Sequence, residues 1–188
     1  MPHDITHYKK QLLQIARASI EHGLQHNAPL TISLVEYDDL IKKNGASFVT
    51  LHKNNQLRGC IGQLQASRPL VMDIAMNAYA AAFQDPRFPS LSNHEYPDIT
   101  LDISILSEPE ILTARNEKEL FEQIEPGKDG LILEKGQHRA TFLPSVWEQL
   151  PDPKDFLRHL KHKAGLNESD DSDITYFRYH TIYLQEDT

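Results

Sequence analysis

The hexapeptide from Leu57 to Gly62 concentrates the residue types of this chain that could do chemistry. It holds the only cysteine among the 188 residues, Cys60, together with Arg58 and the glycines Gly59 and Gly62. A thiolate is a nucleophile and a metal ligand, and arginine presents a planar, permanently charged group that suits anions. A glycine in a strand lets another backbone, a helix or a ligand come close. The hexapeptide is therefore the candidate site.

Two interpretations of the cysteine stay open at this point. A thiolate at Cys60, with Arg58 holding an anionic group and His94 as base, would make a cysteine-dependent enzyme. A lone cysteine is more often a small buried hydrophobe, however, and glycines inside strands often mark bulges or close packing. In that case the same stretch would be a binding surface with an unactivated thiol.

A hairpin is expected around the hexapeptide. Residues 47–52 have the pattern of a strand, and the asparagines that follow tolerate the positive φ of a two-residue turn. An ungapped register would put Val49 opposite Cys60 and Leu51 opposite Arg58, with all four side chains on one face. We therefore predict that the hexapeptide lies in an interior strand, with Cys60 mostly buried and Arg58 lining a cleft.

The remaining periodicities predict helices and strands along the whole chain. Apolar residues at helical spacing, with capping and stop residues, predict helices over residues 5–24, 69–83, 116–124 and 152–165. Alternating or apolar runs predict strands over residues 31–35, 99–105, 130–134, 138–143 and 174–184. Helices and hairpins in this order are typical of an α+β fold.

The loop after the alanine-rich helix should return to the hexapeptide. Asp85-Pro86 ends that helix, because the residue before a proline disfavours helical geometry. The helix is about 22 Å long at 1.5 Å per residue, enough to cross a small sheet. We therefore predict that Arg87 and Phe88 lie near the hexapeptide and take part in ligand binding with Arg58, Gly59 and Gly62.

Composition narrows the class of protein. The chain has a single cysteine and no apolar run long enough to span a bilayer. Residues 1–4 do not resemble the start of a secretion signal. Together these features predict a soluble cytoplasmic protein. The net charge of -8 makes nucleic acid an unlikely partner. No cofactor is predicted, since the chain has no Walker loop, dinucleotide fingerprint or zinc-ligand spacing. His159 and His162 are spaced to share a helix face, but spacing identifies no third metal ligand.

Several stretches together resemble one protein family. Five stretches carry the resemblance, in this order along the chain: the hexapeptide, the block from Asn77 to Pro89, the strand around Ile103 to Ser107, the hairpin from Gly130 to Pro144, and Lys163-Ala164-Gly165. They resemble the AMMECR-type domain family, also called AmmeMemoRadiSam system protein A, over nearly the whole chain.

The resemblance implies an α+β fold with a larger and a smaller subdomain, built on β-hairpins with covering helices, and with residues 1–188 forming one AMMECR-type domain. It also implies a MEMO-type protein and a radical S-adenosylmethionine enzyme as partners. We favour an accessory or binding component with a ligand or partner cleft at Leu57–Gly62. A cysteine-dependent enzyme is the alternative, and a nucleic-acid-binding protein a weaker one. On this hypothesis Arg58→Ala impairs binding more than folding, and Cys60→Ser is tolerated.

Overall fold

A computed structural model describes residues 5–170 and 172–186. The chain forms two compact units, a larger one before Ser107 and after Thr181, and a smaller one between these residues. Each unit combines helices with an antiparallel sheet, which confirms the predicted α+β fold with a larger and a smaller part. The prediction that there is no secretion signal rests on residues 1–4, which lie outside the described residues.

The elements follow the predicted pattern closely, with short additions. In chain order the helices are α1 (Lys9–His26), α2 (Asp39–Lys42), α3 (Leu70–Phe83), α4 (Glu117–Phe121) and α5 (Pro153–Lys163). The strands are β1 (Asn44–Lys53), β2 (Gln56–Gly62), β3 (Arg68–Pro69), β4 (Ile99–Leu106), β5 (Glu110–Leu112), β6 (Gly130–Lys135), β7 (His138–Phe142), β8 (Thr175–Tyr179) and β9 (Thr181–Gln185). Among the described residues, no helix is long and apolar enough to cross a membrane.

Two strand predictions need correction. The segment expected to form a strand at residues 31–35 instead ends in a short 3₁₀ turn, Leu34–Glu36. The strand expected over residues 174–184 is broken at His180, and its halves β8 and β9 join different sheets. Threonine- and tyrosine-rich sequence favours strand geometry throughout this stretch, but it contains no signal for which sheet each half joins.

The larger unit is a five-stranded sheet covered on one face by α1 and α3. The sheet order is β2-β1-β4-β9, with β3 paired to β1 beside this path. The stripe of Leu12, Ala16 and Ile20 on α1 is fully buried, as its helical spacing predicts. Alanines on α3 are equally buried, so the helix backbone lies close to the sheet.

The β1–β2 hairpin has the predicted turn but a different register. Asn54 and Asn55 have φ of 52° and 60°, as a two-residue turn of the primed type requires. A bulge then interrupts the ladder between Leu51 and His52, so Arg58 becomes the extra residue of β2. Cys60 therefore pairs with Thr50 and not with Val49.

This shift of one residue moves Cys60 to the other side of the sheet. Val49 and Leu51 are fully buried in the helix-covered core. Because side chains alternate along a strand, Thr50 and its partner Cys60 point to the opposite face, which we call the outer face. The predicted common face for these residues is therefore wrong, although most of the surface of Cys60 is still buried. The hexapeptide is also not in an interior strand, because β2 forms one edge of the sheet.

The smaller unit is a four-stranded sheet in the order β5-β8-β6-β7, packed on α5. Its core contains the stacked rings of Trp147 and Phe156, whose centroids are 3.7 Å apart. Asp152 caps α5 by accepting hydrogen bonds from the backbone N–H groups of Lys154 and Asp155, which confirms the predicted start of this helix.

Candidate functional site

A polar row crosses three strands on the outer face. Thr50 of β1 pairs with Cys60 on one side and with Asp102 of β4 on the other. The Thr50 hydroxyl donates a hydrogen bond to the Cys60 sulfur, with an oxygen–sulfur distance of 3.4 Å. Next to this row, Nε2 of His52 donates to Oδ2 of Asp102 at 2.7 Å. The outer face thus brings a thiol, a hydroxyl and an imidazole–carboxylate pair together.

The surroundings of Cys60 keep its thiol protonated. Burial raises the pKa of the thiol, and the nearby carboxylates of Asp102 and Asp85 raise it further. The hydrogen bond from Thr50 and the positive charge of Arg87 act in the opposite direction but do not outweigh burial. Since the thiolate is the nucleophilic form, this environment does not activate Cys60 at neutral pH.

The backbone of Cys60 is held by two side chains from the loop of residues 84–95. Its N–H donates to Oδ2 of Asp85 at 2.9 Å, and its carbonyl oxygen accepts from Nη2 of Arg87 at 3.2 Å. Arg87 and Asp85 form a bidentate ion pair, with nitrogen–oxygen distances of 2.7 and 3.0 Å. The Arg87 guanidinium and the Cys60 N–H hold the pKa of the buried Asp85 carboxyl well below its usual range.

Arg58 is fixed by the same loop. Its Nε and Nη2 donate to the two carboxylate oxygens of Glu95 at 2.8 and 3.0 Å, and Nη2 also donates to the carbonyl of Pro89. This pairing lowers the pKa of Glu95 from 4.5 to about 2, with a smaller contribution from Lys53. Only 9% of the Arg58 side chain is exposed, so it is covered by the loop and does not line an open cleft.

Phe88 joins the two arginines. The guanidinium carbon of Arg58 lies 5.7 Å from the centre of its ring, and that of Arg87 lies 5.5 Å from it. The prediction that Arg87 and Phe88 return to the hexapeptide is met in geometry, since Arg87 contacts Cys60 and Phe88 contacts Arg58. Their roles in ligand binding stay predictions.

The two glycines of the hexapeptide accommodate parts of the protein itself. A side chain on Gly59 would overlap with the carbonyl oxygen of Ala81 on α3. One on Gly62 would overlap with the ring of Phe48 and the backbone of Ser47. The space at Gly59 is therefore filled by the backbone of α3, and the space at Gly62 by the neighbouring strand and its Phe48 side chain.

The other histidines considered from the sequence are exposed. His94 is exposed in a turn, and no hydrogen bond between described residues joins it to the thiol. His159 and His162 are exposed on α5 in the smaller unit. Within residues 5–170 and 172–186, no three histidine, cysteine, aspartate or glutamate side chains are grouped closely enough to hold a metal ion.

A buried polar network positions β1 against α3. Asp73, which has no exposed surface, accepts hydrogen bonds from the N–H and hydroxyl of Ser47 and from the amide of Asn77. Its other oxygen accepts from Gln63 and Arg68 at 2.6 and 2.8 Å. This network connects α3 to the residue that follows β2 and so holds the hairpin in place.

Sequence reasoning missed Thr50, His52, Asp102 and Glu95 as neighbours of the hexapeptide, whereas Asp85 belongs to the loop that was predicted to return to it. Polar residues alternating with apolar ones in β1 and β4 indicated which side chains share a face. The bulge at Arg58 and the pairing of β1 with β4 then determine which of them meet, and neither has a local sequence signal.

Comparison with known proteins identifies relatives along nearly the whole chain. A sequence model of the AMMECR1 family matches residues 13–184. A protein of Sulfolobus acidocaldarius is 40% identical, over 84% of this chain and 71% of its own length. Protein SSO0193 of Saccharolobus solfataricus is 38% identical over 93% of this chain and 80% of its own length. The crystal structure of PH0010 from Pyrococcus horikoshii, described there as uncharacterized, superimposes with a TM-score of 0.85 at 29% identity, covering 94% of this chain and 90% of that one.

Proposed function

Because this chain belongs to the AMMECR1 family, we propose that it is a cytoplasmic binding component that acts with a MEMO-type protein and a radical S-adenosylmethionine enzyme. The proposed contact for a ligand or partner is the surface formed by the hexapeptide Leu57–Gly62 and the 84–95 loop. Binding, rather than covalent chemistry, is the function that this surface supports best.

The state of Cys60 is the observation that carries this proposal. A nucleophilic cysteine needs a base within hydrogen-bond reach or a lowered pKa. Here the sulfur accepts a hydrogen bond from the Thr50 hydroxyl, which is not a base, and burial raises the thiol pKa. The imidazole of His52 is hydrogen-bonded to Asp102, and no hydrogen bond between described residues joins it to the Cys60 sulfur. These contacts favour an unactivated thiol within a binding surface.

Arg87 and Phe88 supply the groups that a partner would contact. The Arg87 side chain is 54% exposed and lies beside the half-buried Phe88 ring. Arginine and aromatic side chains carry much of the affinity at protein interfaces. Arg58 supports this surface from below through Phe88 and Glu95.

The nucleic-acid alternative is disfavoured by the local charges as well as by the net charge of -8. Both arginines are already neutralised, Arg58 by Glu95 and Arg87 by Asp85. Binding to nucleic acid depends on cationic side chains that displace counterions from the phosphates. A guanidinium that is already paired with a carboxylate contributes little to this displacement.

The test is binding to a purified MEMO-type protein from the same source, measured by biolayer interferometry. We expect Phe88→Ala to weaken the affinity about 30-fold, the loss of a typical interface anchor of about 2 kcal/mol. Phe121→Ala is the matched control, because Phe121 is also half-buried but lies in the smaller unit. Cys60→Ser should bind like the wild type. Loss of binding in Cys60→Ser alone, or equal affinities for Phe88→Ala and the control, would refute the proposal.

A further inference from the structure

An open cavity of about 380 Å³ lies where the C-terminal ends of α1 and α3 meet the 84–95 loop, within the larger unit. Sites for small molecules commonly have volumes of roughly 300–1,000 Å³, so this cavity is large enough for a compact ligand. Cys60 and Arg58 do not line it, and the function proposed above makes no use of it. The cavity is therefore a separate candidate site.

Two aromatic rings form the apolar part of the cavity wall. The rings of Tyr79 and Phe83 are half-buried, and their centres are 5.0 Å apart. They reach α1 because Gly23 has no side chain, since a Cβ there would lie 2.4 Å from the Phe83 ring and 2.8 Å from the Tyr79 ring. The Tyr79 hydroxyl donates a hydrogen bond to the carbonyl of Asn27 at 2.8 Å, which fixes this ring. The aromatic surface is therefore formed before any ligand arrives.

Three side-chain amides surround the aromatic rings. Asn27, Gln84 and Asn93 line the cavity and are exposed. Among the described residues, no group forms a hydrogen bond with any of these three amides. Each amide offers two donors and one acceptor oxygen. None of the described residues that line the cavity is charged, so the polar groups available to a ligand are neutral ones.

We propose that this cavity binds an uncharged ring compound with an apolar face and hydrogen-bonding groups on its edge, as in a nucleobase or a sugar. The face of such a ring packs on the Tyr79 and Phe83 rings, because aromatic side chains offer a flat apolar surface. Its edge bonds to the amides, and asparagine or glutamine can form two hydrogen bonds at once with adenine. A phosphate or carboxylate would meet no cation among the lining residues.

The experiment titrates the isotope-labelled full chain with adenine and, separately, with methyl α-D-glucopyranoside, and follows the backbone amides by NMR. We expect saturable shifts at Gly23, Phe83 and Leu91, which line the cavity, with a dissociation constant in the millimolar range for at least one probe. Saturation by adenine alone identifies a nucleobase site, and saturation by the glucoside alone identifies a sugar site. If neither probe gives saturable shifts at these residues, the proposal is overturned.

A pair of variants tests whether the amides hold the probe that binds. Gln84→Ala/Asn93→Ala should raise its dissociation constant at least about tenfold, because two hydrogen bonds are lost. The matched control is Gln137→Ala/Asn167→Ala, which removes two exposed amides from the smaller unit and should bind like the wild type. All four positions are exposed, so both variants should fold. Equal dissociation constants for the variant and the control would refute the assignment of the amides.

The contribution of the rings is tested by Phe83→Leu, which keeps an apolar side chain but removes the aromatic face. This variant should bind the probe at least about threefold more weakly, the effect of losing one aromatic contact. If Phe83→Leu does not give the spectrum of a folded protein, the amide variant alone decides. Unchanged binding in a folded Phe83→Leu would contradict stacking on the rings.

Discussion

Arg58 and Glu95, separated by 37 positions in the sequence, form a two-point ion pair that joins the edge strand to the loop beside it. Both side chains are largely buried, at 9% and 18% exposure. A pair with this geometry uses the planar fork of the guanidinium and is stronger than a single hydrogen bond. The pair gives the extra residue of the β2 bulge a structural role.

We expect Arg58→Ala to lower the free energy of unfolding by about 3–5 kcal/mol, because it leaves the carboxylate of Glu95 largely buried with only Lys53 nearby. The sequence alone led to the expectation that this change impairs binding more than folding, and burial of the ion pair now predicts a large loss of stability as well. Urea unfolding measures it. Arg115→Ala is the control, because Arg115 is 88% exposed and should cost less than about 0.5 kcal/mol. Equal midpoints for the two variants would contradict a structural role.

Glu95→Gln should produce a pH-dependent loss of stability. The pKa of Glu95 is lowered in the folded protein, from 4.5 to about 2, so its contribution is complete above pH 4.5 and is lost as the pH falls toward 2. At neutral pH we expect the variant to be less stable by about 2–3 kcal/mol. The difference from the wild type should shrink on acidification through this window. Denaturant titrations at several pH values measure it, and a difference that does not change with pH would count against the ion pair as its source.

Gly59→Ala should destabilise the larger unit by about 3 kcal/mol, because the added methyl group would overlap with the carbonyl of Ala81 and force α3 from the sheet. Gly127→Ala is a suitable control. Gly127 has a φ of 85° but no atom within 4 Å of the added methyl, so only backbone strain of about 1 kcal/mol is expected. Thermal melts compare the two variants. A smaller loss for Gly59→Ala than for the control would show that α3 adjusts without cost.

Thiol labelling of Cys60 should reach half of its maximal rate at a higher pH than labelling of an ordinary exposed thiol, because burial raises the pKa of this group. The same protein unfolded in urea provides the control, since its exposed cysteine should titrate at the ordinary value. Stopped-flow labelling across a pH series measures both. A half-point below that of the unfolded chain would indicate an activated thiolate and favour the cysteine-dependent enzyme.

Local sequence determined several elements of the fold. The apolar spacing of Leu12, Ala16 and Ile20 required a helix with one buried face, and Asp152 before Pro153 marked the start of α5. Asn54-Asn55 determined a tight turn because asparagine adopts positive φ at low cost. Each of these features depends on interactions within a few residues, so the sequence carried the full signal.

The tertiary structure alone decided how these elements meet. Whether Cys60 faces the helices or the outer face depends on one bulged residue, Arg58, and the buried ion pair with Glu95 accompanies that bulge. A shift of one position reverses the face of each following side chain, and local propensity is nearly the same for both registers. The place of β2 at the sheet edge likewise follows from the pairing of β1 with β4, a contact between distant segments. The identity of the thiol's neighbours was therefore a property of the fold and not of the hexapeptide.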